Sequence, residues 1–411
     1  MGTSRLNPSL RAALSAADED RIVFDLAGIR ERYETLTWEL PGVAVRFAMK
    51  ACPVDEVLDC LAEIGAGFDA AGPNEIVRAL GTGVPVGTVH YGNTIKSDRN
   101  IADAYRLGVR DFATDSVEDV AAIAAHAPGA RVFCRLATSG EGALWGLSRK
   151  FGCSDADALR VMEAARDAGL TPAGLSVHVG SQQMTAEAWE SAFASLADVL
   201  VGLRDRGILL DHVNLGGGLP ALGYLDSRGT PLDPPLDKIF AAIREGMQRL
   251  GAVSESPLGF VMEPGRHLVA DHGAIRAHVA RLSTREQLNG ERQRWLYLSC
   301  GKFNGLYEMD QLQYRLYFPT HEGAATVPAV VAGPTCDSDD AYAHAHGQQL
   351  VEVPESVASG DPVWILSSGA YATSYATQGF NGFSPPPYTV VGGLPPGTGT
   401  APARTAMKGL R

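Results

Sequence analysis

The strongest constraint in the chain is an alternation. Eight short runs of apolar or β-branched residues recur at 45–51, 67–72, 89–93, 111–115, 131–136, 174–181, 212–218 and 260–266. Between them lie amphipathic stretches such as DEVLDCLAEIGA, SVEDVAAIAAHA and DADALRVMEAARDAG, several of which close on glycine as a helix end does. Strict alternation of strand and helix forces a parallel sheet, and eight such units are the number that closes a TIM barrel. A doubly wound open sheet is the competing architecture. Past residue 270 the texture changes to short β-like runs (AIRAHVARL, RWLYLS, QLVEVP, DPVWILSSGAY) punctuated by Gly, Pro and Asp. The fold expected is therefore an α/β protein: a TIM (β/α)8 barrel over residues 28–270 and a C-terminal antiparallel β-domain over 271–411. The N-terminal residues 1–27 are expected to pack against the second domain, and the Gly-, Pro- and Thr-rich end is read as a loose tail. At 411 residues the chain exceeds what one core supports, which fits two domains.

Composition removes several function classes. A formal net charge of −12 disfavours nucleic acid as a partner, because phosphate binding needs a basic face. No stretch approaches the ~20 apolar residues of a membrane span, and the N-terminus lacks the apolar run of a signal peptide. The six cysteines are scattered, with no CxxC pair and no histidine cluster at ligand spacing. They read as reduced thiols of a cytoplasmic protein with no metal site.

In a TIM barrel the chemistry sits at the C-terminal ends of the strands. There the sequence puts Lys50 on strand 1, Asp69 on strand 2, Arg135 on strand 5, His178 and Ser181 on strand 6, Gly216, Gly217 and Gly218 on strand 7, and Glu263, Gly265 and Arg266 on strand 8. A buried ammonium at Lys50 would be costly, so its pKa is expected to fall, or the amine to be held in a Schiff base. A lone lysine of this kind can equally bury its stem and reach solvent. The glycine triplet offers backbone N–H groups to a phosphate, Arg266 and Ser181 lie close by in the pattern, Glu263 can face a pyridinium nitrogen, and His178 can stack on a ring. Singly these are a turn, an ion pair and a core histidine; together they are the parts that pyridoxal phosphate requires.

Nine motifs in order (FAMKA, GFDAAGPNEI, LSRKFG, LSVHVGSQ, NLGGGLP, MEPGR, GPTCDSDD, GAYATSY and FNGF) make the chain similar to the fold type III, alanine-racemase-fold pyridoxal-phosphate decarboxylases, the family of ornithine, lysine and diaminopimelate decarboxylases. The resemblance implies that Lys50 carries the cofactor, that His178 stacks on its ring and that Glu263 pairs with its nitrogen. It implies a phosphate site of Ser181, Gly216, Gly217, Gly218, Gly265, Arg266 and Tyr371, with Asp69, Glu75 and Arg135 in support. It further implies a homodimer in which Cys336 protonates the product carbanion in the partner's site and Asp337 holds the substrate.

One departure is informative. Where ornithine decarboxylases carry an acidic residue in an N-D-G segment, this chain reads LSCGKF, with Cys300 in the acidic position and Lys302 two residues on. The expected substrate is an amino acid with a basic or modified basic side chain, with a non-basic or carrier-linked amino acid as the alternative, and L-ornithine itself is expected to be poor. Asp339 and Asp340 follow Asp337 closely, leaving further acceptors for a distal cation. Two rival functions share the scaffold. A racemase would need a catalytic tyrosine where GPTCD stands, and an antizyme-inhibitor-like regulator would not need Lys50 and the phosphate residues.

Overall fold

A computed structural model describes residues 6–146, 149–342 and 349–393. The eight expected barrel strands form in the expected order, at Val43–Ala48, Gly67–Ala70, Val89–Tyr91, Asp111–Thr114, Arg131–Arg135, Thr171–Ser176, His212–Asn214 and Gly259–Met262. All neighbours are parallel, and the last strand pairs back onto the first (Phe260 with Val43), which closes the barrel. Phe47, Phe68 and Phe112, from three strands, are fully buried in the main hydrophobic core, and Phe133 on a fourth is 2% exposed. Serine caps set several helix starts: the side chains of Ser97, Ser116 and Ser154 each accept an N–H from three residues on.

The second domain holds an eight-stranded sheet. Its long strand Gly273–Glu286 pairs antiparallel with Arg21–Asp25 from the N-terminus, so the first residues complete the sheet. The sheet is mixed where the sequence suggested antiparallel pairing throughout. Arg292–Leu298 runs parallel to Thr326–Ala332, and Arg21–Asp25 runs parallel to Tyr388–Val391. Short hairpins enforce antiparallel pairing, but long intervening segments join both of these pairs and release that constraint. Helix Pro8–Ala16 buries Leu10 and Leu14 against Val23, Ala274 and Trp364 in a small separate core. The end of the tail, residues 394–411, lies outside the described residues, as do Leu147 and Ser148 of the LSRKFG motif.

Barrel strand 6 is shorter than its sequence suggested and ends at Ser176. Gly180, at φ +95°, turns the chain, and Ser181–Gln183 then pairs antiparallel with Ala143–Trp145. Ser181 therefore sits on a two-stranded ribbon above the barrel mouth, opposite Trp145.

Candidate active site at the barrel mouth

Lys50 lies just past the end of strand 1, and its Nζ stands 3.5 Å from Asp69 Oδ2 on strand 2. About half of its side chain (52%) is open to solvent, whereas Asp69 is 7% exposed. The expectation that its pKa falls is corrected here. Burial pushes the ammonium down, but Asp69, Tyr371 and Glu263 outweigh it and hold the pKa above the ordinary lysine value. The counterpart is an Asp69 carboxyl that burial would raise but that Lys50 and His90 hold well below the usual range.

Behind this pair is a network that the strand pattern did not reveal. His90, 1% exposed on strand 3, directs Nε2 to Asp69 Oδ1 at 3.2 Å and to Glu263 Oε1 at 2.9 Å. Arg46 Nη1 lies 2.7 Å from the other ring nitrogen, Nδ1. A guanidinium can only donate, so Nδ1 accepts and the ring proton resides on Nε2 between the two carboxylates. Asp69, His90 and Glu263 bring potential ligand atoms within 4.8 Å of one another, but this tautomer occupies Nε2 with hydrogen. Asn214 donates to Glu263 Oε1 and accepts the Gly216 N–H at 2.9 Å, tying the carboxylate to the glycine triplet. The sequence signal for these residues was an Arg and a His inside otherwise apolar strand runs, VRFA and VHY.

The glycines make a cradle that tolerates no side chain. Gly216 (φ +65°) would put a Cβ 2.0 Å from the Val177 carbonyl, and Gly218 (φ +116°) would put one 2.6 Å from the Gly180 carbonyl. Arg266 is 4% exposed and sits against the rings of Trp145 (4.6 Å) and Tyr371 (4.8 Å). Its Nη1 and Nη2 each meet a Glu308 oxygen at 2.6 Å, and Nη1 donates to Tyr224. Nε and Nη2 together donate to Ser181 Oγ at 3.2 and 3.1 Å. Arg266 thus arrives with its charge paired, its Nε/Nη2 edge on Ser181, and lines one pocket with Gly217 and Gly218. Glu308 and Tyr224 were not marked by the sequence, because nothing in GLYEMD or LGYL sets them apart from surface residues.

His178 follows strand 6 with its Nδ1 accepting the Gly180 N–H at 3.1 Å. Burial, Arg135 and Lys50 push its pKa down to about 3, so it presents a neutral, flat ring. Arg135 packs over Phe151, and Glu75 accepts the Ala71 N–H at 2.6 Å behind Asp69. One pocket is lined by Lys50, His178, Ser181, Gly217, Gly218 and Glu263 together with Gly265, Arg266 and Tyr371. Tyr371 reaches it from the β-domain in a left-handed conformation (φ +64°), its N–H donating to the Ala51 carbonyl at 2.7 Å.

The sequence profile of the pyridoxal-dependent decarboxylases, pyridoxal-binding domain, matches residues 26–270. The chain belongs to the pyridoxal-dependent decarboxylases. It is 31% identical to the lysine/ornithine decarboxylase of Selenomonas ruminantium over 88% of this chain and 87% of that one. It is 26% identical to the ornithine decarboxylase of Schizosaccharomyces pombe over 91% and 84%. The crystal structure of lysine/ornithine decarboxylase from Vibrio vulnificus complexed with putrescine superposes with a TM-score of 0.79 at 28% identity, covering 93% and 96%. The decarboxylase's cofactor is pyridoxal phosphate, and the chemistry of the pocket lining fits it: the amine of Lys50, the carboxylate of Glu263, the neutral ring of His178, and glycine backbone beside Ser181 and Arg266.

Unlike Tyr371, the other residues expected from the β-domain, Cys336 and Asp337, do not join this pocket. Cys336 is exposed on the GPTCD loop, its N–H donating to Asn381 Oδ1, and neither it nor Asp337 lines the cavity of its own chain. Asp340 is 2% exposed and fully engaged. It accepts the Lys302 N–H at 2.7 Å and both the N–H and hydroxyl of Thr335, so it anchors the loop instead of awaiting a cation. Gly301 and Gly333 make room for it: a Cβ on either would come within 2.2 Å of its carboxylate. Cys300 is 3% exposed in the core, and burial, Asp20 and Asp340 keep its thiol well above the usual range and hence neutral. Lys302 pairs with Asp310 at 3.4 Å.

Proposed function

We propose that Lys50 carries the cofactor of an amino-acid decarboxylase that acts on a basic or modified basic L-amino acid, releasing CO2 and an amine. The observation that carries this reading is the single pocket uniting Lys50, Glu263, His178 and the Ser181, glycine and Arg266 cradle. Pyridoxal phosphate, when bound, supplies the sink for the electron pair left behind as CO2 departs. Lys50 Nζ must shed a proton before it can act as a nucleophile, and Asp69 sets how tightly that proton is held. Glu263 offers a fixed anion to a ring nitrogen, and the neutral face of His178 packs without placing a second cation beside it. The glycine N–H groups and the Nε/Nη2 edge of Arg266 would hold the phosphate, with Tyr371 lining the same pocket.

Exposure of Cys336 outside its own pocket supports a homodimer in which this thiol donates its proton in the partner's site and Asp337 faces the substrate there. Mixed Lys50→Ala and Cys336→Ala subunits should then regain part of the activity, since one site per mixed dimer escapes both defects. No recovery despite subunit exchange argues against sharing. No described helix is long and apolar enough to cross a membrane, and six free thiols support a cytoplasmic enzyme.

The substrate's distal group meets one carboxylate, Asp337, because the neutral Cys300 replaces the second. Losing one charge-assisted hydrogen bond reduces affinity by roughly one to two decades. A panel of L-ornithine, L-lysine, L-arginine and their acyl derivatives, read by CO2 release, should place ornithine low. Cys300→Asp should raise ornithine's kcat/KM relative to the best substrate. Efficient ornithine turnover by the wild type overturns this assignment. Borohydride reduction should fix a pyridoxyl group on the Lys50 peptide, and an adduct elsewhere overturns the lysine.

A further inference from the structure

We propose that His90 is a positioning residue of the reaction, holding the Lys50 counter-ion Asp69 and the cofactor-facing carboxylate Glu263 as one unit through a single shared proton. The inference rests on the reading that Lys50 carries the cofactor, with Glu263 facing its ring. Its basis is the geometry inside the barrel. A TIM barrel interior is normally filled by branched apolar side chains, yet strands 1, 2, 3 and 8 here contribute Arg46, Asp69, His90 and Glu263 to a continuous polar file. Beyond Arg46 the file continues toward the strand starts, where Arg131 bridges Asp111 at 2.8 Å and Asp211 at 2.9 Å. The Phe133 ring packs against the imidazole, with centroids 5.2 Å apart.

Two buried carboxylates sharing one neighbour repel each other and tend to take up a proton between them. Here three donors oppose that. Lys50 faces Asp69, Asn214 faces Glu263, and the His90 Nε2–H serves both. The charged groups facing His90 are thus Arg46 on one nitrogen and Asp69 and Glu263 on the other. Arg46 makes the arrangement one-sided. Burial and Arg46 push the His90 pKa down, while the hydrogen bonds to Asp69 and Glu263 outweigh them and raise it. A second proton would have to go on Nδ1 and displace the Arg46 contact, so the geometry holds the ring as an Nε2–H donor. Glu263 consequently keeps its negative charge and its aim, and the cofactor's ring nitrogen has a fixed anion to pair with. His90 does not itself line the pocket and meets it only through Asp69 and the lining residue Glu263, so it acts through the carboxylates.

The test uses the dimeric holoenzyme and two variants, His90→Leu and Arg46→Met, with the visible absorbance of the bound cofactor titrated from pH 5.5 to 9.5. His90→Leu removes the shared donor. Its absorbance titration should shift by about one pH unit or more, kcat should fall tenfold or more with KM within threefold, and His90→Gln, whose amide nitrogen lies near the Nε2 position, should recover part of both. Arg46→Met leaves His90 in place but frees Nδ1, so the ring can charge between two carboxylates, and the absorbance titration should again move. A purely packing role would lower the melting temperature without moving that titration. Folded His90→Leu or Arg46→Met holoenzyme with the wild-type titration and kcat overturns the proposal. If His90→Leu fails to fold, Arg46→Met decides alone. Failure of the underlying reading would show separately, as a borohydride adduct on a lysine other than Lys50.

Discussion

Lys50 and Lys96 both follow barrel strands at the same end of the molecule, and each faces an aspartate, yet the two surroundings differ in kind. Lys96 has no exposed side-chain surface. Its Nζ is held by Asp119 at 2.7 Å and by the carbonyls of Ala113, Asn93 and Thr94 at 2.7 to 3.3 Å. Lys50 has one carboxylate at 3.5 Å and half its side chain open. Burial dominates at Lys96 and lowers its pKa, whereas the pocket's negative charge dominates at Lys50 and raises it. A lysine whose donors are all spent ties a loop to a helix. One whose donors are mostly unspent, in a pocket a substrate can enter, is free to exchange partners. Charge and an aspartate do not separate these two lysines; acceptor count and access do.

Three experiments would break or sharpen that contrast. The largest effect should come from Lys50→Ala, with activity down by roughly a thousandfold or more and the melting temperature of the apo-protein nearly unchanged, as measured by CO2 release and calorimetry. Lys96→Met should do the reverse. Asp119, with only 10% of its side chain exposed, would lose its cation, and stability should fall by about 3–5 kcal/mol in denaturant titrations while the remaining folded enzyme keeps its kcat. Preserved stability would show that Lys96 is not the tie its contacts suggest. The smallest effect should come from Asp69→Asn. Removing the charge that opposes burial should let the Lys50 pKa fall, so the free amine appears at lower pH. The pH of half-maximal cofactor capture by apo-protein should then drop by about one unit or more. An unchanged or higher midpoint would mean that Asp69 is not what holds the proton on Lys50.

Legibility followed the distance over which residues act. Barrel strands appeared at or near their expected positions because each is announced by a local apolar run between helical periods. Lys50, His178, the glycine triplet and Arg266 were legible because they occupy the strand ends where barrel chemistry gathers. Ser181 was found but misplaced, since the turn at Gly180 moves it off strand 6 and onto a ribbon whose other half, ending at Trp145, lies well upstream. His90 and Arg46 were present in the strand runs, but nothing in either run says that their side chains meet.

By itself the sequence determined the alternating architecture and the positions of the candidate site residues on it, because periodicity, motif order and residue identity are properties of the chain. Tertiary structure alone decided the protonation states and the partners: a raised Lys50, a neutral His178, an Arg266 already paired with Glu308, an Asp340 committed to its loop, and one His90 proton shared by two strands. The physical reason is that electrostatic free energies depend on separations of a few ångströms between residues tens to hundreds of positions apart. Only the closed barrel and the sheet docked on it set those separations.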